Sequence, residues 1–269
     1  MNAADVARVP GPGLGASGAP RSGPLRWFRS VGLMLRFDAG RAREWAAMMA
    51  IVQVMMGAGM AITYGFFYPV ITPLVALYIV TGTPTLALIP LGLVMVPIGV
   101  SQQKVEGTFD FIWSLPAPRT AQAASTFLLW TALSIPGLLV AVAISAWRYG
   151  VTLTVTPAIV PAVLLCALMA ISVGFGMALA IQNPIIVNLI TNMLVFVVLL
   201  FSPIVYPISY LPTWLADVAR FLPFYAMAQV VRAALTTGIV TDLAHWYGVV
   251  IAWTAIGWGL TAWVVGRRR

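Results

Sequence analysis

The sequence predicts an all-α polytopic membrane protein with six transmembrane helices and both termini on the cytoplasmic side. Three observations carry that fold class. The chain is 61% hydrophobic and only 8% charged, with a mean hydropathy of +0.96, far outside the range of an ordinary soluble domain. Apolar runs recur at about the 20 residues needed to cross roughly 30 Å of hydrocarbon. With the N-terminus inside, twelve Lys and Arg residues fall on that side of the runs and three, Arg148, Arg220 and Arg232, on the other, a positive-inside bias. The formal net charge of +8 is thereby explained by topology and not by a nucleic-acid surface. The single cysteine, Cys166, lies within an apolar run, which leaves neither a disulfide framework nor a metal-ligand cluster.

Residues 1–24 are rich in Gly, Ala and Pro and lack a continuous apolar core, so they are expected to form a disordered tail ahead of one transmembrane domain, 25–269. In 25–43, Trp27, Phe28, Val31, Met34 and Leu35 share one arc of a helical wheel, and Arg26, Arg29, Arg36 and Arg43 another. That pattern predicts an amphipathic interfacial helix facing anionic headgroups, or else a solvated basic segment. The first span is predicted at 46–67. Pro69, Pro73 and Thr81-Gly82-Thr83-Pro84 interrupt the next stretch, making 68–84 either an external connection or a bent extension of the first helix. The second span, 85–101, contains Pro90 and Pro97, tolerable where neighbouring helices satisfy the freed carbonyls. The third, 120–146, ends at Trp147-Arg148-Tyr149, residue types suited to a membrane interface. The fourth is predicted at 156–181, followed by a tight return at Gln182-Asn183-Pro184, the fifth at 185–201 and the sixth at 244–265. Before the sixth, Pro203, Pro207, Pro212 and Pro223 punctuate two short amphipathic segments, 212–221 and 225–237. Neither is long enough to cross, so they predict an external re-entrant-like helical hairpin.

One stretch stands apart. Residues 45–103 contain no Asp, Glu, Lys or Arg, and then Lys104, Glu106 and Asp110 arrive within seven positions. Val105, Phe109, Ile112 and Trp113 recur on one helical face, Glu106 and Asp110 share the opposite one at i, i+4, and Pro116 and Pro118 come after them. This predicts a short amphipathic helix outside the bilayer, on the cytoplasmic side by the charge count.

The run Glu106-Gly107-Thr108-Phe109-Asp110, followed by Ser114-Leu115-Pro116 and Arg119, closely resembles the signature of ABC-2 type transporter permeases, the membrane subunits of one class of ABC exporters. Ser202-Pro203-Ile204-Val205-Tyr206-Pro207, Leu211-Pro212-Thr213-Trp214-Leu215, Leu222-Pro223-Phe224 and Arg232 resemble that family's later pattern, with Leu222 where asparagine is usual. The resemblance implies that Glu106, Gly107, Thr108, Phe109, Asp110 and Trp113 form a coupling helix seated on an ATPase subunit. It further implies two P-loop ATPase copies carrying ATP and Mg, a second permease copy or paralogue, and residence in a bacterial plasma membrane. The first, second and fifth spans would line the dimer interface and the translocation route.

No enzyme chemistry is visible in the chain itself. Its one lysine, Lys104, is not set in a phosphate-binding Gly-x-x-x-x-Gly-Lys-Ser/Thr loop. His245 has no acid partner nearby in sequence and suits a polar cap on the last span. The spans carry none of the carboxylates or histidines that an ion-coupled carrier places near the midplane. They do offer Met48, Met49, Met55, Met56, Met60, Tyr64 and Phe66 in the first span, and Asn188, Asn192 and Phe196 on one face of the fifth. Met55, Met56, Tyr64, Asn188, Asn192 and Phe196 are therefore candidates for the substrate path or the dimer interface, since methionines and aromatics make adaptable apolar surfaces. Helix packing is the alternative role for the asparagines, and lipid or core contact for the methionines. Expected cargo is a hydrophobic or amphipathic compound such as a drug, antibiotic or lipid. Export of a lipid-linked polysaccharide, or a non-transporting membrane scaffold, are the alternatives.

Overall fold

The computed structural model describes residues 24–114 and 118–267; side chains are not described at Asp110, Trp113, Ser114, Arg119 and 265–267. The expectations for the tail 1–23, for Pro116 and for Arg268 and Arg269 fall outside these residues. All regular structure among the described residues is helical. The helices are α1 (Pro24–Thr63), α2 (Pro73–Pro90), α3 (Val96–Val105), α4 (Thr108–Ser114), α5 (Arg119–Tyr149), α6 (Ile159–Ala180), α7 (Pro184–Phe201), α8 (Thr213–Phe221), α9 (Pro223–Leu235) and α10 (Leu243–Arg267). Six stretches are long and apolar enough to cross a membrane: Pro24–Phe66, Pro73–Val105, Thr120–Tyr149, Ile159–Ala180, Pro184–Phe201 and Leu243–Val264.

The sequence-based boundaries need two corrections. The interfacial segment and the first span form one uninterrupted helix, α1. Its N-terminal half lies along α5: Trp27 Nε1 donates to Thr120 Oγ1 at 3.0 Å, and Ser125 Oγ to Asp38 Oδ2 at 2.5 Å. Further along, Tyr149 OH donates to the Ala61 carbonyl at 2.7 Å, so α1 and α5 run parallel. A Cβ on Gly137 would lie only 2.7 Å from the Gln53 carbonyl oxygen, and one on Gly57 would overlap Gly137. Glycine is what lets these two backbones meet.

The second correction concerns 68–84, which neither extends the first helix nor forms a loop throughout. A new helix begins at Pro73, with the Thr72 side chain accepting from Val75 N at 3.3 Å. That is an N-cap followed by proline at the first helical position, where its missing N–H costs nothing. Thr81-Gly82-Thr83-Pro84 lies inside α2, wholly buried. The Thr81 hydroxyl bonds back to the Leu77 carbonyl at 2.7 Å, Thr83 reaches Ser145 Oγ at 3.4 Å, and the bare Gly82 accepts the Ile204 backbone against it. After Pro90 one turn widens to π geometry, Leu91–Met95, before α3 continues the same span, an accommodation typical of a helix whose hydrogen-bond ladder is interrupted by proline. Gly92 in this turn presses on Ala170 and Gly174 of α6.

This α2–α3 span is the centre of the molecule: α5 and α1 pack on one side, α6 and α9 on another, and α7 rests against α3 and the widened turn. A large core joins Leu86, Ile89, Met169, Ile204, Met227 and Val230. A smaller one, near the 102–119 end, joins Val96, Val100, Phe109, Phe175, Leu179 and Val264. The return at 181–183 is closed by Asn183 Oδ1, which accepts from Ile185 N at 2.9 Å at the head of α7. At the opposite end, the connection 150–158 bonds to the end of α9 through Thr154 N to Leu235 O, 3.1 Å, and Thr156 N to Ala234 O, 3.0 Å. The expected pair of short helices before the last span is present as α8 and α9. With six alternating long helices, the 102–119 turn, the 181–183 return and the start of α1 share one end of the bundle.

Candidate functional site

The described residues 102–114 form parts of two helices, not one. The α3 helix runs on to Val105, Glu106 closes it, and Gly107 takes φ +73° before α4 starts at Thr108. The Gly107 N–H donates to the Lys104 carbonyl at 3.3 Å, and its own carbonyl accepts from Phe111 N at 3.1 Å. A left-handed residue after a helix end is the usual place for glycine, and it rotates α4 out of the register of α3. The common face expected for Val105, Phe109, Ile112 and Trp113 is therefore broken: Val105 is 72% exposed, while Phe109 and Ile112 are buried at 4% and 5%. Glu106 closes α3 and Asp110 lies on α4, so the two belong to different helices. Thr108 is half-buried; Asp110 and Trp113 lie on α4, with their side chains outside the described atoms.

Phe109 roots α4 in the core made by α3, α6 and α10. Beside it Lys104 ties α3 to α6: its ammonium donates to the Ala178 carbonyl and, at 3.4 Å, to that of Ile181, where α6 ends. Outside this anchor, Glu106 and Phe111 face solvent, with Arg41 of α1 4.0 Å from Glu106 Oε2. The arrangement is a short helix fixed to three long ones on its inner side and open on its outer side.

The six candidate path or interface residues separate into two groups. Met55 is 68% exposed on the face of α1 turned away from the buried Gln53, Gly57 and Ala61; Met56 is half-buried; and Tyr64 packs against the large core. Asn188, Asn192 and Phe196 do share one exposed face of α7, as their spacing predicts. Asn192 Nδ2 donates to the Asn188 carbonyl at 2.8 Å and to its Oδ1 at 2.5 Å. Within one chain the two groups do not form a common site, since α1 is packed on α5 and α2 while α7 is packed on α3 and the widened turn.

Arg232 counts by sequence among the external charges, yet it is the largest fully buried side chain among the described residues. Its Nε donates to Thr81 Oγ1 at 3.0 Å, Nη1 to Gln229 Oε1 at 3.1 Å and Nη2 to the Ile204 carbonyl at 2.8 Å, and its guanidinium carbon lies 4.0 Å from the Tyr78 ring centroid. Burial pulls its pKa down to about 10, which leaves it charged at neutral pH. One side chain thus pins α9 to α2 and to the loop after α7, using neutral acceptors and a ring face in place of a carboxylate. Gln53, buried in α1 with Nε2 3.4 Å from the Ala87 carbonyl, is a second interhelical polar tie that sequence reasoning misses. A lone amide in an apolar run is its only signal.

A scan against protein-family models finds no match to the chain, and a search of curated proteins finds none either.

Proposed function

We propose that this chain is the membrane permease subunit of an ATP-driven exporter of the ABC-2 type, in the plasma membrane of a bacterium, moving hydrophobic or amphipathic compounds such as drugs, antibiotics or lipids outward. The observation that carries this proposal is the turn after α3: the short helix α4 is rooted by Phe109 against α3, α6 and α10, beside the tie of Lys104 from α3 to the end of α6, while Glu106 and Phe111 are exposed. A partner pushing there would move three spans at once. Two P-loop ATPase copies carrying ATP and Mg would supply the push, shifting the bundle between inward- and outward-open packings.

The charge bias supports placing this end in the cytoplasm. With Arg232 buried, Arg148 and Arg220 remain as the exposed basic residues on the far side of the positive-inside count, against twelve basic residues on the near side. The face of α7 supports a second permease, either a copy or a paralogue. It presents Leu189, Met193 and Phe196 beside two asparagines, and amides facing hydrocarbon are better placed against protein or a wet path.

The test is a photo-crosslinking residue in place of Phe111, activated in native membranes. The expected product joins the chain to a P-loop ATPase. Capture of lipid alone, or of proteins without nucleotide-binding loops, would remove the coupling role.

A further inference from the structure

The arginines at the start of α1 serve neither the turn after α3 nor the α7 face. Which side of the helix they occupy follows from its contacts with α5. Trp27 and Asp38 bond to Thr120 and Ser125, and Val31 and Ala42 are buried. Arg29 and Arg36 each stand two positions before one of these inward residues, Val31 and Asp38, which is about 200° around the helix. Arg43 follows Arg36 by the same seven positions that separate Arg36 from Arg29, so the three form one outward row with steps of about 10 Å. All three are exposed, as is Arg26.

Little in the chain neutralises this row. Among residues 24–44, five exposed arginines stand against one exposed acid, Glu44, while Asp38 is half-buried and bonded to Ser125. Among the described residues, the ion pairs are Arg41 with Glu106 and Arg220 with Asp217, and neither includes Arg26, Arg29, Arg36 or Arg43. Large apolar side chains are exposed beside the arginines, at Leu25, Phe28, Leu33 and Phe37. Gly32 and Gly40 leave open space between them.

Each kind of occupant meets this surface differently. A soluble anion would answer the guanidiniums and leave four large apolar side chains in water. A neutral bilayer surface would cover the apolar side chains and leave the arginines without counter-charge. An anionic phospholipid carries phosphate and acyl chains in one molecule and answers both. It is also at hand, because α1 passes directly after Glu44 into the stretch 45–103, which holds no charged residue and begins the first span. From Asp38 back to Trp27 is eleven residues, whereas from Ser125 back to Thr120 is five. The helix α1 therefore crosses the start of α5 obliquely, and its first turns stay nearer the bilayer surface than those of a helix running straight out.

We propose that Arg29, Arg36 and Arg43, with Arg26 and the exposed Phe28, Leu33 and Phe37, bind anionic phospholipids of the cytoplasmic leaflet and hold the N-terminal half of α1 against the bilayer surface. This assignment does not depend on the exporter proposal.

The test places a bimane fluorophore on Gly40→Cys, beside the row, in the full chain; Cys166 is buried and does not compete for the label. The chain is reconstituted in phosphatidylcholine vesicles holding a small fraction of either phosphatidylglycerol or phosphatidylcholine that carries a nitroxide near its headgroup. The expected result is stronger quenching by the phosphatidylglycerol, a local enrichment of roughly fivefold, about the worth of one arginine at an anionic surface. Raising salt from about 20 mM to about 0.5 M should bring the two lipids close to parity. Replacing the row together, Arg29→Gln, Arg36→Gln and Arg43→Gln, should do the same at low salt. The corresponding triple lysine variant should keep most of the enrichment, and a melting temperature equal to the parent's in both variants separates lost lipid from lost fold. Equal quenching by the two lipids in the parent, or full enrichment in the glutamine variant, would overturn the proposal. Quenching by neither lipid would also overturn it, by placing the row in water, where an acidic protein could reach it.

Discussion

Arg232 is the residue on which the far end of the bundle turns. Three neutral acceptors, drawn from α2, α9 and the loop after α7, converge on one guanidinium, and the Tyr78 ring covers it. Replacing it with alanine leaves a void and unmet acceptors at Thr81, Gln229 and Ile204, a loss on the order of 3 kcal/mol. Thermal unfolding in detergent is expected to begin several degrees lower, with Arg232→Lys also impaired because an ammonium cannot reach three acceptors in a fixed fork. A melting temperature equal to that of the parent would contradict the pinning role. In the sequence this arginine sits among short polar-flanked segments and counts as an external charge. One of its partners, Thr81, is 151 positions away and another, Ile204, 28, and burial set by such distant contacts leaves no local trace.

Among the elements, the six long helices are legible because hydrocarbon thickness imposes a length that composition alone displays. The true start of the second span escapes sequence reasoning although its signal is present. Thr72-Pro73 is a capping residue before a first-turn proline, but Gly82 and Pro84 outweigh it as apparent breakers, and only the close approach of Ile204 makes that glycine useful. The turn after the second span is legible as a charged, amphipathic stretch, while its division at Gly107 is not: helical periodicity carries straight through a residue that the structure places at φ +73°.

Two predictions belong to these elements. Glu106→Arg is expected to lower transport by roughly tenfold or more while the ATPase of the assembled complex keeps turning over. Its ion pair with Arg41 is solvent-exposed and worth at most about 1 kcal/mol, so the variant should insert and melt normally. Transport at the parent rate would refute the coupling assignment. On α7, Asn192→Leu removes the bonds to Asn188 without creating a void. It is expected to change the range of compounds exported more than the yield of assembled complex. An unchanged export profile would assign that face to packing alone.

At the scale of the molecule, burial is uneven. The α2–α3 span is almost wholly enclosed, whereas α7 and the membrane-crossing part of α1 are mostly exposed. Lipid can cover such faces, but the asparagine pair on α7 sets that helix apart, and a second permease placed there would let the exposed parts of the first and fifth spans border a shared route. Residue type and spacing single out the candidates on those spans. Their separation within one chain is beyond the reach of pattern, because helix order in a sequence does not say which helices touch.

The central claim is that this chain works as the membrane half of an ATP-driven machine. Its most direct test is gentle solubilisation of the tagged protein from its native membrane, followed by identification of what co-purifies and in what ratio. The expected result is a P-loop ATPase at equal copy number, in a complex holding two permease chains. A chain that emerges without any ATPase, even after crosslinking along residues 106–113, would contradict it.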